Sequence, residues 1–542
     1  MNNAKTKFRG ADAVAAALER IDAGTLFVMS GNQLMPVFDA CLDHDFRLIH
    51  VRHEASAVHM ADAWGRMTGT PGIALLPAGP GFLNGLTALY SARMSESPVV
   101  LLSGHAPTAG IGKGAFQEMQ QAEIAAPLCK ASWTIEKARD LGAAVQQAAA
   151  IALSGRPGPV HVALPFDLLN ENVHADFGMP DDSVPSAAGE TDFAPVLGAI
   201  AAAERPLILA GPLLLQPHLK QLHQSLRECG LAPVVAMESP RGINDPALGA
   251  LAEVLGAADL VVLLGKRADY TLRFGDALAK DVRVICIDPE EGELARAKKN
   301  LGDRLILSIK ADLRTAIARL RSAIRKASLA DGEWAELVRS KTAFRPEAWV
   351  TLPDGADGRT HPVNAARQIQ NALAAEPDAV LVVDGGEFGQ WVQACIAAPN
   401  RIINGPSGEI GGGLPFAIAA KLAKPDSTVM TVMGDGTVGF CLAEFDTAAR
   451  YGIAVTAIIG NDARWNAEYQ IQLRDYGPDR LIGCELGDAR YDKVAEGLGC
   501  QGEIAQAGSD IARCLARATK AGKPACINLM IDGKPAPVIR TG

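Results

Sequence analysis

Short continuous apolar runs recur along this chain, and each is followed by a longer stretch with helical spacing. TLFVMS at 25–30, GIALLP at 72–77, DLVVLL at 259–264 and AVLVV at 379–383 show the pattern. A strand that is apolar on both sides must be covered on both sides, as in parallel sheets sandwiched between helices. The alternation restricts the chain to the α/β class, built from doubly wound parallel sheets.

Three blocks of this alternation are expected. The first adds runs at 47–51 and 98–103. The second has runs at 206–210, 233–237, 259–264 and 282–287. The third has 379–383, 427–433, 454–460 and 525–530. A polar linker at about 179–193 (MPDDSVPSAAGETDF) and a longer irregular connection at about 327–362 (ending TLPDGADGRTHP) separate them. A chain of 542 residues is too long for one core. The expected domains are therefore 1–180, 190–330 and 362–542.

The net charge of −9 and the lack of any dense Lys/Arg run argue against a nucleic-acid surface. No apolar segment opens the sequence, and no run of about 18 uncharged apolar residues follows, so no membrane association is expected. Ten cysteines are scattered without a CxxC pair. That usage fits reduced thiols in a cytoplasmic enzyme acting on a small molecule.

The most informative stretch is 427–468, which reads as strand, GDG turn, helix, strand and an Asn-Asp loop. In a right-handed βαβ unit both strands end at one edge of the sheet. Asp435 and Asp462, 27 positions apart in the numbering, are thereby brought together. Gly434 and Gly436 would let the backbone turn and approach a ligand. A helix starting at about Thr437 would offer N–H groups to an anion such as a phosphate. Two carboxylates beside that anion would repel it unless a hard divalent cation, for which Mg²⁺ is suited, bridged them.

GDG followed by 24 residues and an ND pair resembles the signature of thiamine-diphosphate enzymes. The resemblance implies Asp435, Asp462 and the Arg464 carbonyl as Mg²⁺ ligands, although the family more often has Asn where Asp462 stands. Four further segments are similar to the acetolactate synthase, benzaldehyde lyase and 2-hydroxyacyl-CoA lyase (oxalyl-CoA decarboxylase) branch. The first is RHEASAVHMADAWGR. Within it Glu54 follows a strand at the mouth of a helix, a place that the helix dipole alone would also favour for an acid. The resemblance makes Glu54 the residue that hydrogen-bonds the cofactor's aminopyrimidine ring and promotes loss of the thiazolium C2 proton. The second, GPGFLN, places Pro80 and Asn84 at the cofactor. The third, FQEMQQAEIAAPLCK, places Gln117 near the reacting carbon. The fourth, GPSGEIGGG, implies that the Gly408 carbonyl accepts from the pyrimidine amine and that Ile410 wedges the cofactor into its bent shape. Gly386 and Glu387 are further cofactor-binding candidates. In this family the cofactor lies between the first domain of one subunit and the third of another, which implies a homodimer or homotetramer.

The expected reaction makes or breaks a carbon–carbon bond beside a carbonyl. No His-His pair occurs, unlike the pyruvate decarboxylase type. Asn32 and Gln33 would meet substrate or simply cap a helix. LLGKRADYTLRFGDAL resembles the acyl-CoA group, so Lys266, Arg267 and Arg273 would meet nucleotide phosphates or form a solvated basic patch. LAGPLLLQP has no G-x-G phosphate loop, so FAD is not expected, whereas ADP or CoA could sit in the central domain. A 2-hydroxyacyl-CoA lyase-like activity is the leading expectation. An acetolactate synthase-like or benzaldehyde lyase-like reaction on a 2-oxo acid is the alternative. Intact Glu54, Asp435 and Asp462 argue against a non-catalytic relative. Trp465, Asn466, Glu468 and Tyr469 lie where substrate specificity is expected.

Overall fold

A computed structural model describes residues 8–174, 192–322 and 332–539. It contains three parallel sheets, each covered by helices. The first has order β2-β1-β3-β4-β6-β5, with β1 Thr25–Val28, β2 Arg47–His50, β3 Gly72–Leu76, β4 Val99–His105, β5 Ala131–Thr134 and β6 Val160–Pro165. The second has order β11-β10-β9-β7-β8, with β7 Pro206–Ala210, β8 Val234–Ala236, β9 Leu260–Leu264, β10 Arg283–Asp288 and β11 Leu305–Lys310. The third has order β13-β12-β14-β15-β17-β16, with β12 Val380–Asp384, β13 Asn400–Ile403, β14 Val429–Gly434, β15 Thr456–Asn461, β16 Gln501–Ala505 and β17 Ala525–Met530.

Every expected strand is present, and the apolar runs are buried as two-sided cores require. Five strands lay outside the expectation. Four are edge strands or lie next to an edge, and they carry polar residues that break an apolar run: ASWT in β5, LILSIK in β11, NRII in β13 and QGEIA in β16. The fifth, β6, has His161 as its second residue, fully buried between Ser103 Oγ at 2.7 Å and Ser132 Oγ at 2.9 Å. The linker at 179–193 lies almost wholly outside the described residues. The connection at 327–362 is not irregular throughout. Glu333–Ala343 forms a helix whose Trp334 and Val338 pack on the second sheet's core.

Four further helices position the site: α1 Glu54–Thr68, α2 Gly386–Cys395, α3 Gly413–Ala423 and α4 Asn466–Tyr476. Helix α1 starts at His53, whose ring accepts from Ala55 N, and stops at Gly69 in the left-handed region. Its Ala-rich face lies against α3, so the first and third sheets share one apolar core. Charges are buried in that contact. The Arg66 guanidinium donates to Asp62 Oδ1 at 2.7 Å and to the Ile403 carbonyl at 2.6 Å, and lies 5.1 Å above the Phe416 ring. His59 Nε2 sits 3.4 Å from Glu409 Oε1. Burial disfavours a charged His59, but Glu409, with Asp62 and Asp384 behind it, outweighs burial and raises its pKa. Arg156 joins the first sheet to the second by pairing with Glu96 and Asp288, and Arg401 joins the third to the second through Glu238. No helix among the described residues is long and apolar enough to cross a membrane.

Removing one partner of a buried ion pair strands the other. Arg66→Met leaves Asp62 fully buried and unpaired, and is expected to cost about 3–5 kcal/mol. The double variant Asp62→Asn/Arg66→Met should recover much of that loss in thermal unfolding. A double variant no more stable than the single one would contradict this account.

Candidate active site

In the third sheet β12 and β14 are neighbours, and the chain order reverses between them. Open α/β sheets bind ligands at such a switch point, outside the carboxyl ends of the strands. A cavity of about 240 Å³ lies there. Gly386 and Glu387 reach it from the end of β12, Gly434–Thr437 from β14, and Asp462 and Arg464 from β15. Gly408 and Ile410 close one side. All ten of these predicted residues therefore line one cavity.

The strand register explains why the two aspartates meet. Gly434 on β14 pairs with Gly460 on β15, so Asp435 and Asp462 leave the sheet side by side. Both are buried. Burial pushes both carboxyls above the ordinary range, and the charge of Asp435 pushes Asp462 further. The Arg464 N–H donates to Asp435 Oδ2 at 3.2 Å. Its guanidinium lies 4.2 Å over the Tyr469 ring. Two buried acids with oxygen donors only suit a hard divalent cation. Among the described residues no group of three His, Cys, Asp or Glu side chains could hold a metal alone. A cation here would need backbone or ligand oxygens to complete its shell.

The loop is held under strain. Ala463, between the two candidate ligands, sits at φ +58°, a region that costs a non-glycine residue about 1–2 kcal/mol. Asn461 holds it there. Its Oδ1 accepts from Ala463 N at 3.1 Å, while its Nδ2 donates to the Ala489 carbonyl and to Asn528.

The glycines differ from expectation. Gly434 is extended at φ −74°, and Gly436 is required because a Cβ would lie 2.6 Å from the Trp465 ring. The tight turn belongs to Gly385, at φ +69°, where a Cβ would come within 2.1 Å of Thr437 Oγ1. The helix expected from Thr437 begins at Asp435 and runs only to Val438. The longer α2 also starts at this cavity and offers it N–H groups.

Two residues that sequence reasoning missed shape the walls. Asp384, at the end of β12, is fully buried and accepts from Gly411 N at 2.9 Å and Gly413 N at 2.7 Å. It thereby fixes the loop that carries Gly408 and Ile410, and burial pushes its carboxyl up to about 6. An Asp that ends an apolar run ahead of paired glycines was the available signal. Arg241 enters from the second sheet, with Nη2 3.4 Å from Glu387 Oε2. Glu387 is buried, which raises its pKa. Trp465, Asn466 and Glu468 of the expected specificity segment line the cavity, whereas Tyr469 lies outside its lining under the Arg464 guanidinium.

The candidates of the first sheet gather elsewhere. Glu54 opens α1, and Asn84 Nδ2 donates to its Oε2 at 2.9 Å. Pro80 starts the short helix Pro80–Asn84, and a Cβ on Gly81 would meet Glu54 Oε1 at 3.0 Å. Gln33 Nε2 donates to Gln117 Oε1 at 2.8 Å, and Gln117 sits at φ +60° against Gly79. Glu118 folds the neighbouring loop by accepting from Gly114 N and Ala115 N. Asn32 is exposed at the start of a single 3-10 turn. None of these residues lines the 240 Å³ cavity of the same chain.

The basic candidates of the second sheet divide. Lys266 is buried, with Nζ 2.5 Å from Thr271 Oγ1 and 3.0 Å from the Arg267 carbonyl. Arg267 faces Glu293 at 3.3 Å. Arg273 remains at the surface, 3.4 Å from Asn244 Oδ1. The expectation of three phosphate-facing cations thus loses two to internal partners.

Comparison with known proteins agrees with this layout. Residues 8–124 match the family model "Thiamine pyrophosphate enzyme, N-terminal TPP binding domain", and 384–529 match its C-terminal TPP binding domain. The chain is 31% identical over 531 residues to the acetolactate synthase large subunit IlvG of Mycobacterium tuberculosis, covering 96% of this chain and 95% of that protein. It is 30% identical over 585 residues to 2-hydroxyacyl-CoA lyase 2 of Caenorhabditis elegans, covering 97% and 90%. The same enzyme of Bos taurus is 30% identical over 579 residues, covering 96% and 90%. With both cofactor-binding domains matched and likeness along almost its whole length, the chain belongs to the thiamine pyrophosphate enzymes, as a carbon–carbon lyase or carboligase of the superfamily that holds acetolactate synthase and 2-hydroxyacyl-CoA lyase.

Proposed function

We propose that this enzyme cleaves 2-hydroxyacyl-CoA thioesters in the cytoplasm, as a homodimer or homotetramer with Mg²⁺ and thiamine diphosphate at each active site. The observation that carries the cofactor reading is the pair of buried, cation-demanding aspartates in a cavity beside the N-terminus of α2. Asp435, Asp462 and the Arg464 carbonyl would hold Mg²⁺ against the diphosphate, with Gly386, Glu387 and Thr437 around it. Gly408 would accept from the pyrimidine amine, and Ile410 would support the bend.

Bound thiamine diphosphate supplies a carbanion that adds to a carbonyl and stores the electron pair released when the adjacent bond breaks. Glu54 handles the proton at the pyrimidine ring, and Asn84 orients the Glu54 carboxylate. Pro80, Gln117 and the paired Gln33 border the reacting carbon, with Asn32 beside them. The assembly rests on the separation of these groups from the cavity of their own chain. A partner's Asp435 cavity would complete Glu54, and the reverse, so each active site would use two protomers.

Likeness to 2-hydroxyacyl-CoA lyase 2 along nearly the full chain supports the acyl-CoA substrate, with Arg273 left as the surface cation for a nucleotide phosphate. An acetolactate synthase-like reaction on a 2-oxo acid is the second reading, favoured by equal likeness to IlvG.

Glu54→Gln is expected to bind the cofactor as the wild type does and to lose C2–H exchange and turnover by about 100-fold or more. Exchange no faster in the wild type than in free cofactor would refute the catalytic reading. Release of formyl-CoA from a 2-hydroxyacyl-CoA supports the first substrate, and acetolactate from pyruvate would replace it with the second.

The metal reading carries its own pH signature. Raised aspartate pKa values mean that the folded apo chain binds more protons than the unfolded one, so this contribution to stability is present at low pH and fades as pH rises through the folded-state values. Mg²⁺ binds the ionised pair, so its stabilising effect should be larger at about pH 8 than at about pH 6 in thermal unfolding. An effect that does not grow with pH, or one that survives Asp435→Asn/Asp462→Asn, would remove these residues from the metal site.

A further inference from the structure

The cavity is lined by four acids, Glu387, Asp435, Asp462 and Glu468, and by two cations. One cation, Arg464, is stacked on Tyr469 beside Asp462. The other, Arg241, comes from a different sheet. Its side chain is 42% exposed, and its contact to Glu387 is long, at 3.4 Å. A guanidinium has five N–H donors in a planar fork, and a single long contact to Glu387 leaves most of them for a ligand in the cavity that Arg241 lines. Arg241 is also placed by its own neighbours. Its neighbour Pro240 adjoins Gly408, so Arg241 stands between the Gly408 loop and Glu387 at the start of α2.

The placement of Arg241 is built into the fold. Arg241 N donates to Ser239 Oγ at 3.2 Å. Gly242 follows at φ +56°, and a Cβ there would lie 2.3 Å from the Thr271 carbonyl. Thr271 is itself pinned, because its N donates to Asp269 Oδ1 at 3.0 Å and its hydroxyl meets Lys266. The next link is Tyr270, whose hydroxyl donates to the Pro406 carbonyl at 2.6 Å, on the loop leading to Gly408. The KRADYT segment thus braces the Arg241 loop against the cavity wall. This gives Lys266 a role that needs no phosphate.

We infer that Arg241 is a specificity-determining residue that pairs with an anionic oxygen group of the acyl donor, a carboxylate or a phosphate. The inference rests on the proposed cofactor site and adds the charge of the substrate to it. Glu387 keeps the empty fork oriented, and an incoming anion shares the guanidinium with it.

The test compares Arg241→Gln with wild-type holoenzyme on three donors: pyruvate, a 2-hydroxyacyl-CoA and an uncharged 2-hydroxyketone. The ratio of kcat/KM for the anionic donor to that for the uncharged one should fall about 10-fold or more, mostly through KM. Loss confined to pyruvate identifies the anion as a carboxylate beside the carbonyl, and loss confined to the thioester identifies a CoA phosphate. Arg241→Lys should restore part of the selectivity, since charge returns without the fork. An equal loss on charged and uncharged donors, or no loss, overturns the inference. So does restored selectivity in Arg241→Gln/Glu387→Gln, because Arg241 would then serve only to neutralise Glu387. C2–H exchange in the wild type is read separately, so failure of the cofactor site would be seen apart from failure of Arg241.

Discussion

Two like charges brought together out of water are the constraint on which the rest of this molecule turns. The register of β14 against β15 delivers Asp435 and Asp462 to one point, and both are buried there. Burial raises the pKa of both carboxyls, and the charge of Asp435 raises that of Asp462 further. Two buried carboxylates side by side suit a hard cation, the partner proposed for them above. The strained Ala463 and the bonds of Asn461 show that the chain spends stability to keep the arrangement.

Around that point the three sheets are tied by charge as well as by apolar packing. Arg66, Arg156 and Arg401 each reach from one layer into another and find carboxylates or carbonyls at the far side. Such pairs add little net stability, but misalignment leaves a buried charge exposed to no partner, which makes the relative placement of the layers sharp. The walls of the cavity inherit this sharpness. Asp384 holds the glycine loop from below, and the second sheet holds it from the side through Tyr270.

Legibility in the sequence followed the range of the chemistry. The aspartate pair, the glutamate and their glycines were readable because each belongs to a local strand–turn–helix unit with distinctive spacing. The helix at Glu333–Ala343 was obscured by the Pro and Gly that follow it, although Trp334, Ala335 and Val338 carry a helical spacing. The edge strand β16 was missed because one-sided burial does not demand an apolar run, and β13 because Asn400 and Arg401 leave it only two apolar residues. Arg241 had no signal at all. A lone arginine in SPRGIN acquires meaning only when a neighbouring sheet places it over Glu387. Lys266 and Arg267 went the other way, since basic residues in a promising loop proved to face Thr271 and Glu293.

Helix α1 has a consequence of a different kind. It has Glu54 at its tip and, five residues on and about 7.5 Å further along the axis, His59 seated against Glu409 on the loop of Gly408 and Ile410. The two half-sites of one chain are therefore mounted on a single stiff bar. In any assembly that joins half-sites between protomers, that bar acts as a gauge and sets how far apart the paired reaction centres stand. A turn of helix inserted between Glu54 and His59 would carry Glu54 about 5.4 Å from the Gly408 loop of its own chain and so reset the spacing of the proposed paired centres.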